Sequence, residues 1–354
     1  MTKFERLMAE LPSTVDAALV TEDVNRRYFT GMKSSAGTVL VTREKAYLII
    51  DFRYIEKAQK TVKEAEVIMQ GKLYEQINEL LAKHGAKSVA IESYSVTVSQ
   101  LNNMREKIAV EIDDSDALSK AIDKLRIVKT QDEIDKIIKA QRIAEMAFDD
   151  VLNFIKPGVT EKELGLHLDN YMLLHGAEAI SFDTIAVSGP NTSMCHGVPT
   201  DRPIQSGEFV LMDYGAVYDG YHSDMTRTVC VGKPTEKMEK IYGIVLEAQL
   251  KSMEAIKAGV CGADIDKIAR DIITDAGYGD AFGHSLGHGV GMNIHETPNA
   301  APTSKHIFEE NMIVTVEPGI YLPDEFGVRI EDFVVVKQNG FENMTLAKKN
   351  LISL

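Results

Sequence analysis

Short aliphatic and β-branched runs alternate with helical apolar spacing along roughly the first 115 residues. Strands are predicted at 17–21, 38–42, 46–51, 66–70 and 88–92, and helices at 53–63, 74–84 and 98–108. That alternation reads as a self-contained α/β domain. No Gly-rich strand-to-helix turn occurs in it, so it offers no nucleotide site. Residues 113–129 read as the connection to the second part of the chain.

The remainder carries an internal repeat. Thr130-Gln-Asp-Glu133 and Thr160-Glu-Lys-Glu163 are capping boxes, each predicting a helix. Ile155-Lys-Pro-Gly-Val159 matches Ile256-Lys-Ala-Gly-Val260, and the same offset aligns Leu164 with Ile265 and Gly176 with Gly277. His196-Gly-Val-Pro199 has a counterpart in His295-Glu-Thr-Pro298, and each half ends in a β-hairpin pattern. Two such halves predict one pseudo-twofold domain with a site between them.

Composition narrows the class. Asp and Glu (53) outnumber Lys and Arg (39), a formal charge of −14 that argues against non-specific binding of nucleic acid. No apolar run is long enough to span a bilayer. The first ten residues carry Lys3, Glu5, Arg6 and Glu10, which predicts no secretory segment. The scattered cysteines Cys195, Cys230 and Cys261 read as reduced thiols, and hence as a cytoplasmic protein.

The chemistry lies in the hairpins. In the first, 209–214 and 221–231 flank Asp219-Gly220, a two-residue turn signal. Pairing 218 with 221 puts Asp224 opposite Gly215, so Asp213 and Asp224 become diagonal neighbours on one face. In the second, 312–317 and 328–336 flank Pro323-Asp-Glu-Phe-Gly327 and carry Glu317 and Glu331, which the repeat aligns with Asp213 and Asp224. Four converging carboxylates repel one another and lose solvation. Arg329 offsets one charge; two divalent cations offset all four, which favours a dinuclear metal site. His284, His288 and His295, three of nine histidines within one Gly-rich segment, supply the imidazole. Oxygen donors with one nitrogen suit Mn²⁺ first, then Co²⁺ or Fe²⁺, with Zn²⁺ an option.

Two competing motifs carry less weight. Gly283-His-Ser-Leu-Gly287 has the form of a nucleophile elbow around Ser285, but Gly289 and Gly291 spoil the helix it requires. Cys195 and His196 are adjacent, so in an extended segment their side chains point apart.

Met212-Asp-Tyr-Gly215, Ser223-Asp-Met-Thr-Arg227, Gly287-His-Gly289, Val316-Glu-Pro-Gly319 and Val328-Arg-Ile-Glu-Asp332 together resemble the signatures of the metal-dependent Xaa-Pro peptidases, prolidase and aminopeptidase P. Asn25-Arg-Arg-Tyr-Phe-Thr-Gly31 and Asp51-Phe-Arg-Tyr54 extend the resemblance over nearly the whole chain. It implies an α+β architecture, with a creatinase-like α/β domain over residues 1–124 and a pita-bread catalytic domain over 125–354.

Carried over residue by residue, the resemblance implies metal ligands Asp213, Asp224, His288, Glu317 and Glu331. It implies catalytic roles for His196 and His295, and a pocket role for His284. Glu317 is expected to shuttle the proton. Arg329 is read as the group that recognises the substrate carboxylate, or as a partner of a ligand carboxylate. Phe182 is read as proline pocket or plain core. The expected activity is a metallopeptidase that cuts between an N-terminal residue and proline. Dipeptidase is preferred, aminopeptidase P on longer peptides is the alternative, and a serine hydrolase or an inactive peptide-binding homologue is remote. The resemblance further implies a homodimer, with neither nucleic acid nor membrane as a partner.

Overall fold

The aliphatic runs of the N-terminal part pair into one six-stranded mixed sheet. The computed structural model describes all 354 residues and separates into two compact units, Met1–Arg126 and Ile127–Leu354. The sheet of the first unit contains β1 (Ala17–Val20), β2 (Thr38–Thr42), β3 (Ala46–Ile50), β4 (Glu66–Met69), β5 (Ser88–Ile91) and β6 (Glu111–Asp113), in the spatial order β4-β3-β2-β1-β5-β6. β1, β2 and β3 pair antiparallel, whereas the β3–β4, β1–β5 and β5–β6 pairs are parallel. Parallel neighbours need a crossover. Helices α3 (Ile55–Thr61), α4 (Leu73–Lys83) and α5 (Val98–Lys107) supply the intervening segments. Leu19, Leu40, Ile49 and Val89 from the sheet pack against Ile77, Leu81 and Met104 from the helices.

Three helices of this unit go beyond the sequence pattern. α1 (Lys3–Glu10) and α2 (Asp23–Thr30) are two turns each, too short for a 3.6-residue period to register. The stretch expected to be a connection holds α6 (Ala117–Ile127), whose Leu118, Ile122 and Leu125 are buried. Strand β6, three residues long, likewise lies outside the strands that the pattern predicts.

In the second unit the repeat is visible in the backbone. α7 (Gln131–Phe154) packs on α8 (Glu161–Leu174), and α9 (Glu236–Glu254) packs on α10 (Gly262–Asp275). The glycines aligned by the repeat share left-handed conformations: φ is +95° at Gly158 and +88° at Gly259, +107° at Gly176 and +89° at Gly277. Leu164 and Ile265 are both fully buried.

The strands of the first half are β7 (Ala179–Ile180), β8 (Ile185–Ser188), β9 (Glu208–Tyr214), β10 (Ala216–Tyr218), β11 (Tyr221–His222) and β12 (Met225–Val231). Those of the second are β13 (Gly287–Gly289), β14 (Glu296–Ala300), β15 (Ile313–Val316), β16 (Gly319–Leu322), β17 (Phe326–Arg329), β18 (Asp332–Lys337) and β19 (Gly340–Asn343). β12-β9-β8 and β15-β18-β19 form the principal sheets. The two halves meet where β12 lies beside β17 and β18: Glu331 N donates to Thr226 O (3.1 Å), and Thr228 Oγ1 donates to Arg329 O (2.9 Å). No helix is long and apolar enough to cross a membrane.

Candidate metal centre

The Asp219-Gly220 turn sets the register of the first hairpin. Tyr218 pairs with Tyr221 and Val217 with His222; beyond a break, Tyr214 pairs with Met225 and Asp213 with Thr226. The main chain crosses the break in step, because Ser223 N donates to Ala216 O (2.9 Å). Asp224 therefore falls opposite Gly215, as the turn predicts. A Cβ on Gly215 would lie 1.9 Å from Ser223 O, so the strands close around Asp224 only with glycine there. The second hairpin breaks at the matching place. Val316 pairs with Asp332 and Gly319 with Arg329, leaving Glu317 and Glu331 face to face in the interruption. Asp224, Glu317 and Glu331 thus occupy the two places where ladder pairing is suspended, while Asp213 stays in the ladder opposite Thr226.

His288 comes from β13, which is stitched to β15 by His288 N donating to Thr315 Oγ1 (3.0 Å). Its Nδ1 lies 3.1 Å from Gly289 O; a carbonyl only accepts, so Nδ1 carries the proton and Nε2 presents a lone pair. That lone pair faces Asp224 Oδ2 and Glu317 Oε1, each at 3.5 Å. One ligand atom from each of Asp224, His288 and Glu331 lies within 4.8 Å of the others.

Electrostatics make this arrangement unstable by itself. Burial pushes the Asp224 carboxyl well above the usual carboxylate range, and the charges of Asp213 and Glu317 add to the effect. Glu331 is raised in the same way by burial, then by Asp224, Glu317 and Asp213. Burial lifts Glu317 to about 8, although Arg329 opposes it. Burial lowers His288 to about 4, leaving it neutral at pH 7. Asp213 Oδ1 and Glu331 Oε1 are buried with no hydrogen-bond partner. Orphaned carboxylate oxygens beside a neutral imidazole lone pair are the donor set of a divalent cation site, so these residues fit the metal that the sequence implies.

Because a carboxyl with a raised folded-state pKa binds its proton more tightly when folded, the metal-free protein should lose stability as pH rises from 4.5 toward about 8 through Glu317. A cation expels that proton. Mn²⁺ titrated by calorimetry in two buffers of different ionisation enthalpy should register net proton release at pH 7, and less at pH 9. Identical heats in both buffers at pH 7 would contradict a protonated Glu317 in the metal-free protein.

The ten residues singled out from the sequence all line one cavity of about 420 Å³. The His295 ring packs edge-on against His288, with centroids 4.4 Å apart. Phe182 lines the wall with Ile185 and Ile294, two apolar residues that sequence reasoning passed over because neither belongs to a polar motif. Arg329 is nearly spent on protein groups. It donates from Nη2 to Asp213 Oδ2 (2.5 Å), from Nη1 to Tyr321 Oη (2.8 Å) and Cys195 O (3.2 Å), and from Nε to Thr226 Oγ1 (3.0 Å). A guanidinium has five N–H groups, so one remains without a protein acceptor among these contacts.

Tyr321, also unanticipated, sits four residues after Glu317 and relays this contact to His284. The His284 Nδ1 proton goes to Ser285 O (2.8 Å), so Nε2 accepts from Tyr321 Oη (3.0 Å). Burial and the Arg329 charge lower His284 to about 4, which keeps it neutral. After Ser285 the chain enters β13, so the strand–turn–helix of a nucleophile elbow is not formed.

Residues 135–338 match the profile of metallopeptidase family M24, and residues 1–128 match that of the creatinase/prolidase N-terminal domain. The chain belongs to metallopeptidase family M24. It is 37% identical over 353 residues to the Xaa-Pro dipeptidase of Pyrococcus furiosus, covering 99% of each chain. A solved Xaa-Pro dipeptidase from Bacillus anthracis is similar with a TM-score of 0.96 and 41% identity, covering 99% of both chains. The X-Pro aminopeptidase from Thermotoga maritima gives 0.92 and 33%, covering 99% of this chain and 100% of that one. The M24 protein thus has the architecture its motifs imply, a creatinase-like domain followed by a pseudo-twofold pita-bread domain, and belongs among divalent-metal hydrolases.

Proposed function

We propose that the protein is a Xaa-Pro dipeptidase whose residues 125–354 form the catalytic domain. Asp213, Asp224, His288, Glu317 and Glu331 would hold two divalent cations, with Mn²⁺ the first choice over Co²⁺, Fe²⁺ and Zn²⁺. The observation that carries this reading is the His288 Nε2 lone pair facing two carboxylates across 3.5 Å, beside orphaned oxygens of Asp213 and Glu331. Bound divalent metal lowers the pKa of water from 15.7 to about 7 and counters the charge of the carboxylates.

The side chains do the rest. Glu317, an ionised carboxylate once the cations are bound, accepts a proton from water and returns it to the leaving amine. His196 and His295 donate to the scissile carbonyl oxygen as charge develops there. Phe182, Ile185 and Ile294 provide an apolar wall for proline, while the remaining N–H of Arg329 binds its carboxylate and His284 lines the pocket, holding Tyr321 beside Arg329. The reading includes a homodimer in a reducing, cytoplasmic compartment, in keeping with three free cysteines.

Resemblance to the X-Pro aminopeptidase from Thermotoga maritima favours a second reading, hydrolysis of longer peptides by the same chemistry. Metal-loaded protein should hydrolyse Xaa-Pro with a kcat/KM at least tenfold above that for Xaa-Pro-Yaa, and lose activity on chelation. A preference for the tripeptide selects the aminopeptidase. Activity that survives chelator but is lost in Ser285→Ala selects a serine hydrolase, and peptide binding without turnover selects an inactive homologue.

A further inference from the structure

Glu161, the first residue of α8, is completely buried, yet it is not among the residues that line the cavity. Its Oε1 accepts from Ser188 N (2.7 Å), Ser188 Oγ (3.0 Å) and Asn191 Nδ2 (3.0 Å). Its Oε2 accepts from Asn191 Nδ2 (3.1 Å), Thr200 N (3.0 Å) and Thr200 Oγ1 (2.6 Å). These donors stand at the two feet of one loop. Ser188 closes β8, and Thr200 is where the chain returns to α8, with Lys162 N donating to Thr200 O (3.0 Å). Between the feet lies His196. The large apolar side chains of the loop do little to hold it in place: Met194 is 51% and Val198 76% exposed. Along its first arm, Gly327 N donates to Thr192 Oγ1 (2.8 Å) and Arg329 reaches Cys195 O.

We propose that Glu161 is a positioning residue that clamps the feet of the 188–200 loop and thereby holds His196 at the cavity. This rests on the reading of His196 as a participant in the reaction. The clamp requires a carboxylate. Five donor groups, two of them backbone amides, converge on two oxygens; glutamine would offer one oxygen and turn its own N–H groups toward donors. The five metal-facing residues lie on other segments; the loop reaches them through Arg329, which donates to Cys195 O and to Asp213 Oδ2, whereas the clamp acts at Ser188, Asn191 and Thr200.

The test uses full-length, Mn²⁺-loaded protein. Glu161→Gln should lower kcat for a Xaa-Pro dipeptide by about ten- to a hundredfold, the effect of a small misplacement of a reacting group. KM and metal stoichiometry should change little. In a His196→Ala background the same substitution should cost less than about twofold, because the two residues act as one unit. Amides of 189–199 should exchange faster with deuterium while those of β9 and β12 keep their protection. Asn191→Ala, which removes one donor, should move both readouts the same way by less, and it stands in if Glu161→Gln does not fold. Losses that multiply in the double variant, or loop protection unchanged in either variant, would overturn the clamp. If His196→Ala leaves turnover intact, the role given to His196 fails, and the exchange data alone decide whether the loop is clamped.

Discussion

Glu331→Gln should give a protein that folds normally and hydrolyses a Xaa-Pro dipeptide on the order of 10³-fold more slowly. The two halves of that expectation have one cause. Glu331 is 1% exposed and keeps one oxygen orphaned, and burial together with Asp224, Glu317 and Asp213 raises its proton affinity well above the carboxylate norm. In the metal-free protein a neutral amide of the same shape removes repulsion. The Thr226 hydroxyl, which now donates to Glu331 Oε2 at 2.7 Å, can donate to the amide oxygen instead. Melting temperature without metal should therefore hold steady or rise. With metal, the amide supplies less negative charge to the cations, so occupancy and turnover should fall together. Mass spectrometry of the native protein reads the occupancy. Full occupancy with more than a tenth of wild-type turnover would remove Glu331 from the proposed ligand set.

The largest expected loss of stability comes from Arg227→Met. Arg227 is 1% exposed and donates to Asp332 Oδ1 (2.7 Å), to the carbonyls of Thr226 (2.9 Å), Ala347 (2.8 Å) and Lys348 (3.0 Å), and to that of Glu331. It therefore ties β12 of one hairpin to β18 of the other and to the C-terminal segment. Burial pushes the fully buried Asp332 carboxyl up, but Arg227 and Lys349 outweigh it and hold the group below the ordinary carboxylate value. Removing the guanidinium leaves Asp332 with Lys349 and Asn343 alone. Breaking one side of a buried pair costs about 3–5 kcal/mol, so the melting temperature should fall by roughly 10 °C or more. Because the Asp332 pKa is depressed, its contribution is present at neutral pH and is lost as pH falls through its folded value, below 3.8. A change under about 1 kcal/mol in denaturant titration would show that the staple is redundant.

Much of the site is legible along the chain because hairpin geometry is local. A two-residue turn fixes which residues face one another, so the diagonal of Asp213 and Asp224 can be read before any fold is known. The repeat is legible for a related reason. Gly158, Gly176, Gly259 and Gly277 mark turns that need positive φ, and such turns recur wherever the same helix pair is built twice.

The partnerships are another matter. That Arg329 spends its donors on Asp213, Tyr321, Cys195 and Thr226 comes from the docking of the second hairpin beside β12, and no spacing in the chain announces it. The burial of Glu161 under the feet of the His196 loop is of the same kind. So are α1 and α2, which are short helices, and α6, where a linker was expected; packing holds them where local periodicity gives too little signal.

Residue chemistry and turn geometry, then, already pointed to four carboxylates in two repeated hairpins and to three candidate imidazoles in the Gly-rich segment, of which the resemblance implied His288. Which oxygens are left orphaned and which charges are neutralised by protein were settled when the halves closed on each other, and which loop is clamped was settled by packing within the first half. Desolvation and long-range pairing exist only in the packed state, and they decide those questions.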